Sequence, residues 1–564
     1  MKIFLAQQNY HIGNIEANSQ KIISAIQQAR QQEADLVVFS ELAVCGYPPR
    51  DFLYFTDFVE VCNKAVLKIA QYADGIAVLL GAPQVNEQVQ GKDLFNAVYF
   101  LENKEIKQVV HKTCLPTYDV FDEDFPYRVH FEPATQWHLI PFKNKKLAVT
   151  ICEDIWNLGD NPLYMNCPMD HFIKLKPDVM INLSASPFDY THDEDRKAAV
   201  KANVTKYKLP LFYCNAVGSQ TEIVFDGSSL VFDKEANLCG RLKSFEEDYQ
   251  MFELKNDGRI NCPVIEPAQN VPDKENNPAL LDETLHIDQV YRALVMGIQD
   301  YFYKMGFKKA IIGSSGGIDS AVTLALACDA LGAENVMAVL MPSEYSTSHS
   351  VTDAETLSKN YNNPYEILPI KNIYDSFLKE LKPVFKDLPF SVAEENIQSR
   401  TRGNLLMAMA NKFGFILLNT SNKSELATGY GTLYGDMAGG IGVLGDCYKL
   451  QIYELAKYIN RHKEWIPHHI ITKPPSAELR PGQKDSDSLP DYHILDRILY
   501  QYIEQCKGPV EIKALGFDAA LVDRVLKMVN VNEYKRNQFC PIIRISPKAF
   551  GVGRRMPIVA KYLG

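Results

Sequence analysis

Short apolar runs punctuate the first half of the chain: LVVF at 36–39, IAVLLG at 76–81, LAVTIC at 147–152, VMINLS at 179–184 and LFYCNA at 211–216. Each has the length of a strand and none alternates with polar residues, so each predicts a strand buried on both faces. Between Asn18 and Glu33, Ile22, Ile23, Ile26 and Ala29 recur at helical spacing with lysine, arginine and glutamines opposite, which predicts an amphipathic helix. Strands alternating with such helices predict an α/β layered domain. From Lys255 to Glu283 the rhythm stops, and prolines, asparagines and charges collect as they do in an exposed connector. It resumes with an amphipathic helix at about 286–305, the segment KKAIIGSS, an Ala/Leu-rich helix from Asp319 and the strand NVMAVLMP. That β-α-β order predicts a parallel, doubly wound sheet. The expected organisation is therefore a domain at 1–254, a linker at 255–284 and a domain at 285–564.

Length agrees with this division, because 564 residues exceed what one hydrophobic core usually supports. A hydrophobic content of 46% with 11% aromatic residues excludes a disordered chain. A net charge of −10 argues against broad adhesion to nucleic acid or to an anionic membrane, and points to small-molecule substrates. The 12 cysteines form no CxxC pair, so neither a zinc ribbon nor a secreted disulfide framework is expected. The apolar stretch at 3–6 is too short for a signal-peptide core, and the longest apolar run, Leu405 to Leu418, is broken by Asn411 and Lys412. A cytoplasmic protein is expected.

The segment IIGSSGGIDSA (311–321) sets serines and paired glycines between a strand and a helix start, where unpaired backbone N–H groups and the helix dipole attract anions. It lacks the Gly-Lys-Ser/Thr of a Walker A loop and the spacing of GxGxxG. The run Ser315-Gly316-Gly317-Ile318-Asp319-Ser320 resembles the pyrophosphate loop of the ATP pyrophosphatase superfamily, whose members cleave ATP to AMP and pyrophosphate. After the apolar run FGFILLN (413–419), Asn422-Lys423-Ser424-Glu425 is similar to the NKSE segment of NAD synthetases, as are EENIQSRTRGN (394–404) and PSAELRPGQKD (475–485). The resemblance implies that Gly313, Ser314, Ser315, Gly316, Gly317, Ile318, Asp319, Ser320 and Thr420 bind ATP. It implies too that Asp319 and Glu425 hold Mg2+, and that Asn396, Arg400, Glu425 and Lys535 meet deamido-NAD. Arg536, Arg554 and Arg555 complete a basic C-terminal group with Lys535, and solvation alone would explain it.

In the first half, Glu41 after LVVFS, Lys112 in HKTCLPTYDVFDE and Cys152 after LAVTI resemble the Glu-Lys-Cys triad of the nitrilase superfamily. Buried cysteines usually serve as small hydrophobes, but Cys152 is followed by the polar turn Glu153-Asp154. The triad implies a thiolate attacking the side-chain amide of glutamine, with Glu41 moving protons. Lys112 is expected to lower the thiol pKa and to stabilise the oxyanion. The resemblance further implies that Tyr118 and Ser186 contact glutamine, and that the N-terminal fold is an α-β-β-α sandwich. It runs from the first strand to about Phe252. The family usually shows Glu-x-Arg-Tyr-Phe after Val-Phe-Asp, whereas this chain reads VFDEDFPYRVHF (120–131), so nothing transfers to the loop after Glu123.

Together the halves resemble the glutamine-dependent NAD synthetases, which implies a homo-oligomer, a ligase activity and an ammonia channel between two sites. Ligases making GMP or asparagine share the second half but pair it with other glutaminase types. A tRNA-modifying ATP pyrophosphatase would need a basic surface and often paired cysteines. A silent N-terminal binding module would not need Glu41, Lys112 and Cys152 together.

Overall fold

The computed structural model describes residues 1–88, 90–118, 120, 121, 123, 131–158, 162–261 and 287–562. The chain divides into two compact units, Met1–Gln269 and Asn270–Gly564.

The strands of the first unit are β1 (Lys2–Gln7), β2 (Leu36–Val38), β3 (Ala77–Val85), β4 (Leu94–Glu102), β5 (Glu105–His111), β6 (Ile140–Phe142), β7 (Lys145–Ile151), β8 (Val179–Ser184), β9 (Leu211–Asn215), β10 (Val217–Gln220), β11 (Ile223–Asp226), β12 (Leu230–Phe232), β13 (Leu238–Arg241) and β14 (Asp248–Glu253). Two six-stranded sheets result, in the orders β14-β1-β2-β3-β4-β5 and β13-β12-β9-β8-β7-β6. Successive side chains of a strand point to opposite faces, and here both faces are covered. Ile3 and Leu5 of β1 join Leu147, Val149, Ile151, Ile181 and Leu183 in the core between the sheets. Phe4 and Ala6 face the other way, into a core with Ile22 and Ile26 of the helix Ile15–Gln31. On the far side, Ala148 and Met180 pack with Val200 and Val204 of the helix His192–Tyr207. This is the α-β-β-α sandwich, and its two-sided burial is why the strands read as unbroken apolar runs.

The helix expected from Asn18 starts at Ile15, with Asn14 accepting from the Ala17 N–H at its N-terminus. LAVTIC yields a strand only to Ile151, and Cys152 opens a one-turn 3-10 helix instead. Residues 255–261 turn back on the first unit, where Ile260 is buried between the sheets and Leu254 bridges it. The rest of the expected linker, from 262, lies outside the described residues.

The second unit has β15 (Ala310–Gly313), β16 (Val336–Leu340), β17 (Tyr365–Ile367), β18 (Ile416–Asn419) and β19 (Ile441–Gly442), all parallel, in the order β17-β16-β15-β18-β19. The chain builds outward from β15 to β17 and then returns to the other side of β15, so the β15/β18 boundary is a topological switch point, where such sheets bind ligands. Ile311, Val339 and Leu417 pack on Leu406 and Ala410 of the helix Val392–Phe413. FGFILLN therefore begins as the end of that helix and becomes a strand only at Ile416.

Two glycines permit close approaches that any side chain would block. A Cβ on Gly81 of β3 would lie 2.4 Å from the Leu42 nitrogen and 2.6 Å from the Ser40 oxygen. Gly316, at φ +76°, would put a Cβ 2.2 Å from the Ser350 oxygen. Gly81→Ala should destabilise the protein by about 1–3 kcal/mol, as overpacking against fixed backbone does. The denaturant midpoint measures this, and an unchanged midpoint would mean that the 40–42 turn yields freely.

Candidate active sites

In the first unit three strands end at one place: β2 leads to Glu41, β5 to Lys112 and β7 to Cys152. Lys112 is 1% exposed. Its Nζ donates to Glu41 Oε1 at 2.7 Å and to both oxygens of Glu123 at 2.8 Å. Asn96 Nδ2 donates to Glu41 Oε1 at 2.7 Å, and the Ala185 N–H to Glu41 Oε2 at 3.1 Å. The Tyr47 hydroxyl donates to Glu123 Oε1 at 2.6 Å. Burial opposes the charge on Lys112, but Glu123 and Glu41 outweigh it and hold the ammonium well above its usual range.

Cys152 sits directly after β7 at φ +41°, a left-handed conformation that is uncommon for a residue with a side chain. Asp154 pins it there. Its Oδ2 accepts from the Ile151 N–H at 3.0 Å, while Oδ1 accepts from Thr113 at 3.0 Å and Cys114 at 2.8 Å, tying the turn to the segment that carries Lys112. Burial pushes the Cys152 thiol up, Glu41 adds to the effect, and the opposing charge of Lys112 does not prevail. The expected lowering by Lys112 thus has the right sign and loses to burial and to the carboxylates of Glu41, Glu153 and Glu123. The balance favours the protonated thiol.

Tyr118, half-exposed, donates its hydroxyl to Glu153 Oε2 at 2.9 Å. Burial raises the Glu153 carboxyl to about 7. The Ser186 Oγ lies 2.8 Å from His192 Nε2, and the Ser186 N–H donates to Asn215 at 2.9 Å. The His192 ring stacks on Trp156, one turn beyond Cys152. Both predicted glutamine contacts therefore connect to the segment that follows Cys152. Residues 124–130 lie outside the described residues. Glu123, Asn96, Tyr47 and Asp154 were missed from sequence, and only the acids' positions, after Val-Phe-Asp and two residues past Cys152, offered a signal.

In the second unit, a cavity of about 300 Å³ at the β15/β18 switch point is lined by Gly313, Ser314, Ser315, Gly317, Ile318, Asp319 and Ser320, and by Thr420 and Glu425. The loop leads into the helix Ile318–Leu331 and is braced internally, with the Gly317 N–H donating to Ser315 Oγ at 3.2 Å and Ser320 Oγ donating to the Gly317 oxygen at 3.0 Å. Gly316 belongs to the loop without lining the cavity. Asn396, Arg400 and Lys535 converge elsewhere, on the turn after the NKSE segment. Asn396 Oδ1 accepts from Thr432, Arg400 Nε donates to the Leu433 oxygen at 3.2 Å, and Lys535 Nζ donates to the oxygens of Gly429 and Gly431 at 2.7 and 2.9 Å.

The NKSE segment opens the short helix Lys423–Thr428 with a capping box between Asn422 and Glu425. Asn422 Nδ2 also donates to Asp319 Oδ1 at 2.9 Å. Lys423 is buried in ion pairs with Asp446 at 2.9 Å and Glu504 at 2.8 Å, which marks it as a support and not a ligand. Lys449, which sequence reading passed over, joins the two predicted metal ligands: its Nζ lies 2.5 Å from Asp319 and 3.6 Å from Glu425. Burial, with Asp319 and Asp485 nearby, raises the Glu425 carboxyl to about 8 despite Lys449.

Among the described residues no group of three or more His, Cys, Asp or Glu side chains could hold a metal. Two carboxylates already sharing one cation nevertheless fit magnesium, which is usually bound through one or two protein carboxylates completed by phosphate oxygens and water. Among the described residues no helix is long and apolar enough to cross a membrane.

Comparison with known proteins assigns a family to each half of the chain. The carbon-nitrogen hydrolase family matches residues 2–259, and the NAD synthase family matches residues 290–539. The chain is similar to the glutamine-dependent NAD(+) synthetases of Synechocystis sp. (41% identity over 99% of both chains) and Thermotoga maritima (40% identity over 100% of this chain and 99% of that one). It superposes on the solved glutamine-dependent NAD+ synthetase of Acinetobacter baumannii with a TM-score of 0.76 at 37% identity, covering 99% of this chain and 98% of that one.

The charge balance around Cys152 makes a prediction of opposite sign to simple loss. Removing the carboxylate charge in Glu41→Gln should shift the pH midpoint for alkylation of Cys152 by iodoacetamide downward, because a group that disfavours the thiolate is gone while Lys112 remains. Mass spectrometry across a pH series reads the midpoint, and an upward shift would contradict the assignment.

Proposed function

The chain belongs to the glutamine-dependent NAD(+) synthetase family, and from that premise we propose how its residues divide the work. The enzyme is a carbon-nitrogen ligase that amidates deamido-NAD to NAD at the expense of ATP, with nitrogen from glutamine. The reading of its residues rests above all on one observation: Cys152, Glu41 and Lys112 meet at three strand ends, with Lys112 held charged by two carboxylates.

In the first unit, Glu41 takes the Cys152 proton as sulfur attacks the side-chain amide carbon of glutamine. Since burial and the neighbouring carboxylates disfavour a free thiolate, this transfer accompanies attack. Lys112, already charged and desolvated, donates to the oxyanion by turning one N–H from its carboxylate partners. Glu41 returns the proton to the departing nitrogen, ammonia leaves, and the same carboxylate then activates water to hydrolyse the thioester to glutamate. Glu123 keeps Lys112 aimed through both transfers. Tyr118 and Ser186 hold the substrate, Tyr118 through its bond to Glu153 and Ser186 beside His192.

In the second unit, backbone amides of the 313–320 loop and the N-terminus of the helix Ile318–Leu331 bind the phosphates of ATP. Thr420 contacts the same nucleotide. The nicotinate carboxylate attacks the α-phosphorus, pyrophosphate departs, and ammonia displaces AMP from the acyl adenylate. Asn396, Arg400 and Lys535 shape the 428–436 turn toward the dinucleotide. Asp319 and Glu425 would hold magnesium, which when bound supplies neutralisation of the phosphate charge. Lys449 carries a second positive charge into the same cavity and moves against the phosphates.

Cys152→Ala should abolish NAD formation from glutamine, by about a hundredfold or more, and leave ammonium-driven formation within about twofold. Equal loss with both nitrogen donors would refute the division of labour. Asp319→Ala should cut synthesis with either donor by about a hundredfold or more. Retained synthesis would reject its place at the phosphates. Both are read as NAD and AMP formed from deamido-NAD, ATP and magnesium.

A further inference from the structure

Lys449 stands where a divalent cation would stand, paired with Asp319 and beside Glu425. Its Nζ lies 2.5 Å from Asp319 Oδ2 and 3.6 Å from Glu425 Oε1, and its side chain is 2% exposed. The remaining oxygens also have protein donors. Asn422 Nδ2 takes Asp319 Oδ1 at 2.9 Å, and the Asn422 N–H takes Glu425 Oε2 at 3.3 Å. Resting on the magnesium reading above, we propose that Lys449 is an internal counter-ion that keeps divalent metal off Asp319 and Glu425 until the phosphates of a nucleotide draw its ammonium away. Metal then enters only together with the triphosphate.

The argument is one of charge in a confined space. A metal ion arriving alone would share two carboxylates with a buried ammonium, and repulsion between them is strong where water is scarce. The ammonium cannot simply leave, because a desolvated charge needs another partner. A triphosphate supplies that partner in the right place, since the loop from Gly313 to Ser320 lines the same cavity as Lys449. The backbone need not move. Lys449 begins the helix Lys449–Ile459, and its N–H is fixed by Ser424 Oγ at 3.0 Å, so the exchange is a swing of one flexible side chain. Lysine suits this better than arginine because its charge sits on a compact, freely rotating head. The exchange also explains a placement that binding alone does not require, a cation bonded to the metal's own ligands and not waiting in solvent.

The test uses Mn2+ as probe and the water-proton relaxation enhancement that reports Mn2+ held on protein, in the full chain. The wild type should bind Mn2+ at least about tenfold more weakly alone than with a non-hydrolysable ATP analogue, as one neighbouring charge shifts an ionic equilibrium by about ten- to a thousandfold. Lys449→Met should bind Mn2+ alone at least about tenfold more tightly than the wild type. Lys449→Arg, which keeps a cation, should not, and Asp319→Asn in the Lys449→Met background should lose the gain. Wild-type binding that is equal with and without the nucleotide analogue overturns the counter-ion role, and does so even if Lys449→Met fails to fold. Failure of the magnesium reading looks different: the wild type would retain no Mn2+ even with the analogue, or Asp319→Asn would retain all of it.

Discussion

A lysine ammonium buried in a protein is held charged most strongly by carboxylates beside it, and among the described residues three such arrangements organise this chain. Lys112 lies between Glu41 and Glu123, Lys449 between Asp319 and Glu425, and Lys423 between Asp446 and Glu504. Each is desolvated, so the gain from the pair offsets the cost of burial only if the geometry holds, and removing one member strands a charge. That constraint fixes the ends of β2 and β5 relative to each other in one unit. In the other it fixes the NKSE helix against the 544–548 segment, where Ser546 and the Lys548 carbonyl also bond Lys423.

The two functional clusters spend the same device differently. Around Cys152, burial and three carboxylates outweigh Lys112, so the thiol is held toward its protonated form beside Glu41 and Lys112. At the β15/β18 switch point, Lys449 and the loop at a helix N-terminus line one cavity, an arrangement suited to a polyanion. Both sites stand at strand ends. There the sheets fix backbone positions while the side chains that follow are free to converge.

Much of this was legible in the sequence because two-sided burial leaves unbroken apolar runs, as at VMINLS and LAVTI, and because the phosphate loop is local in sequence. The antiparallel strands β4 and β5 were not legible. Most of β5 faces solvent at least in part, so its run EIKQVVH carries no apolar signature. The helix Val392–Phe413 blurred into β18 because its last residue, Phe413, is separated from the apolar strand only by Gly414 and Phe415. Within the sites, the residues of the resembling motifs could be named, but their partners could not. Glu123 meets Lys112 across a segment that departs from the usual pattern, and Lys449 reaches Asp319 over 130 positions. Nor does sequence sum opposing fields: the sign of Lys112's effect on Cys152 was readable, whereas the burial that reverses the net result was not.

The central claim is that nitrogen freed at the buried cysteine ends in the carboxamide made at the phosphate loop. Glutamine labelled with 15N only in its side-chain amide tests it most directly, with unlabelled ammonium present as competitor. The account predicts NAD carrying the label in its carboxamide, with one AMP released for each NAD formed and unlabelled glutamate as co-product. NAD that forms without the label, or AMP released with no NAD, would contradict it.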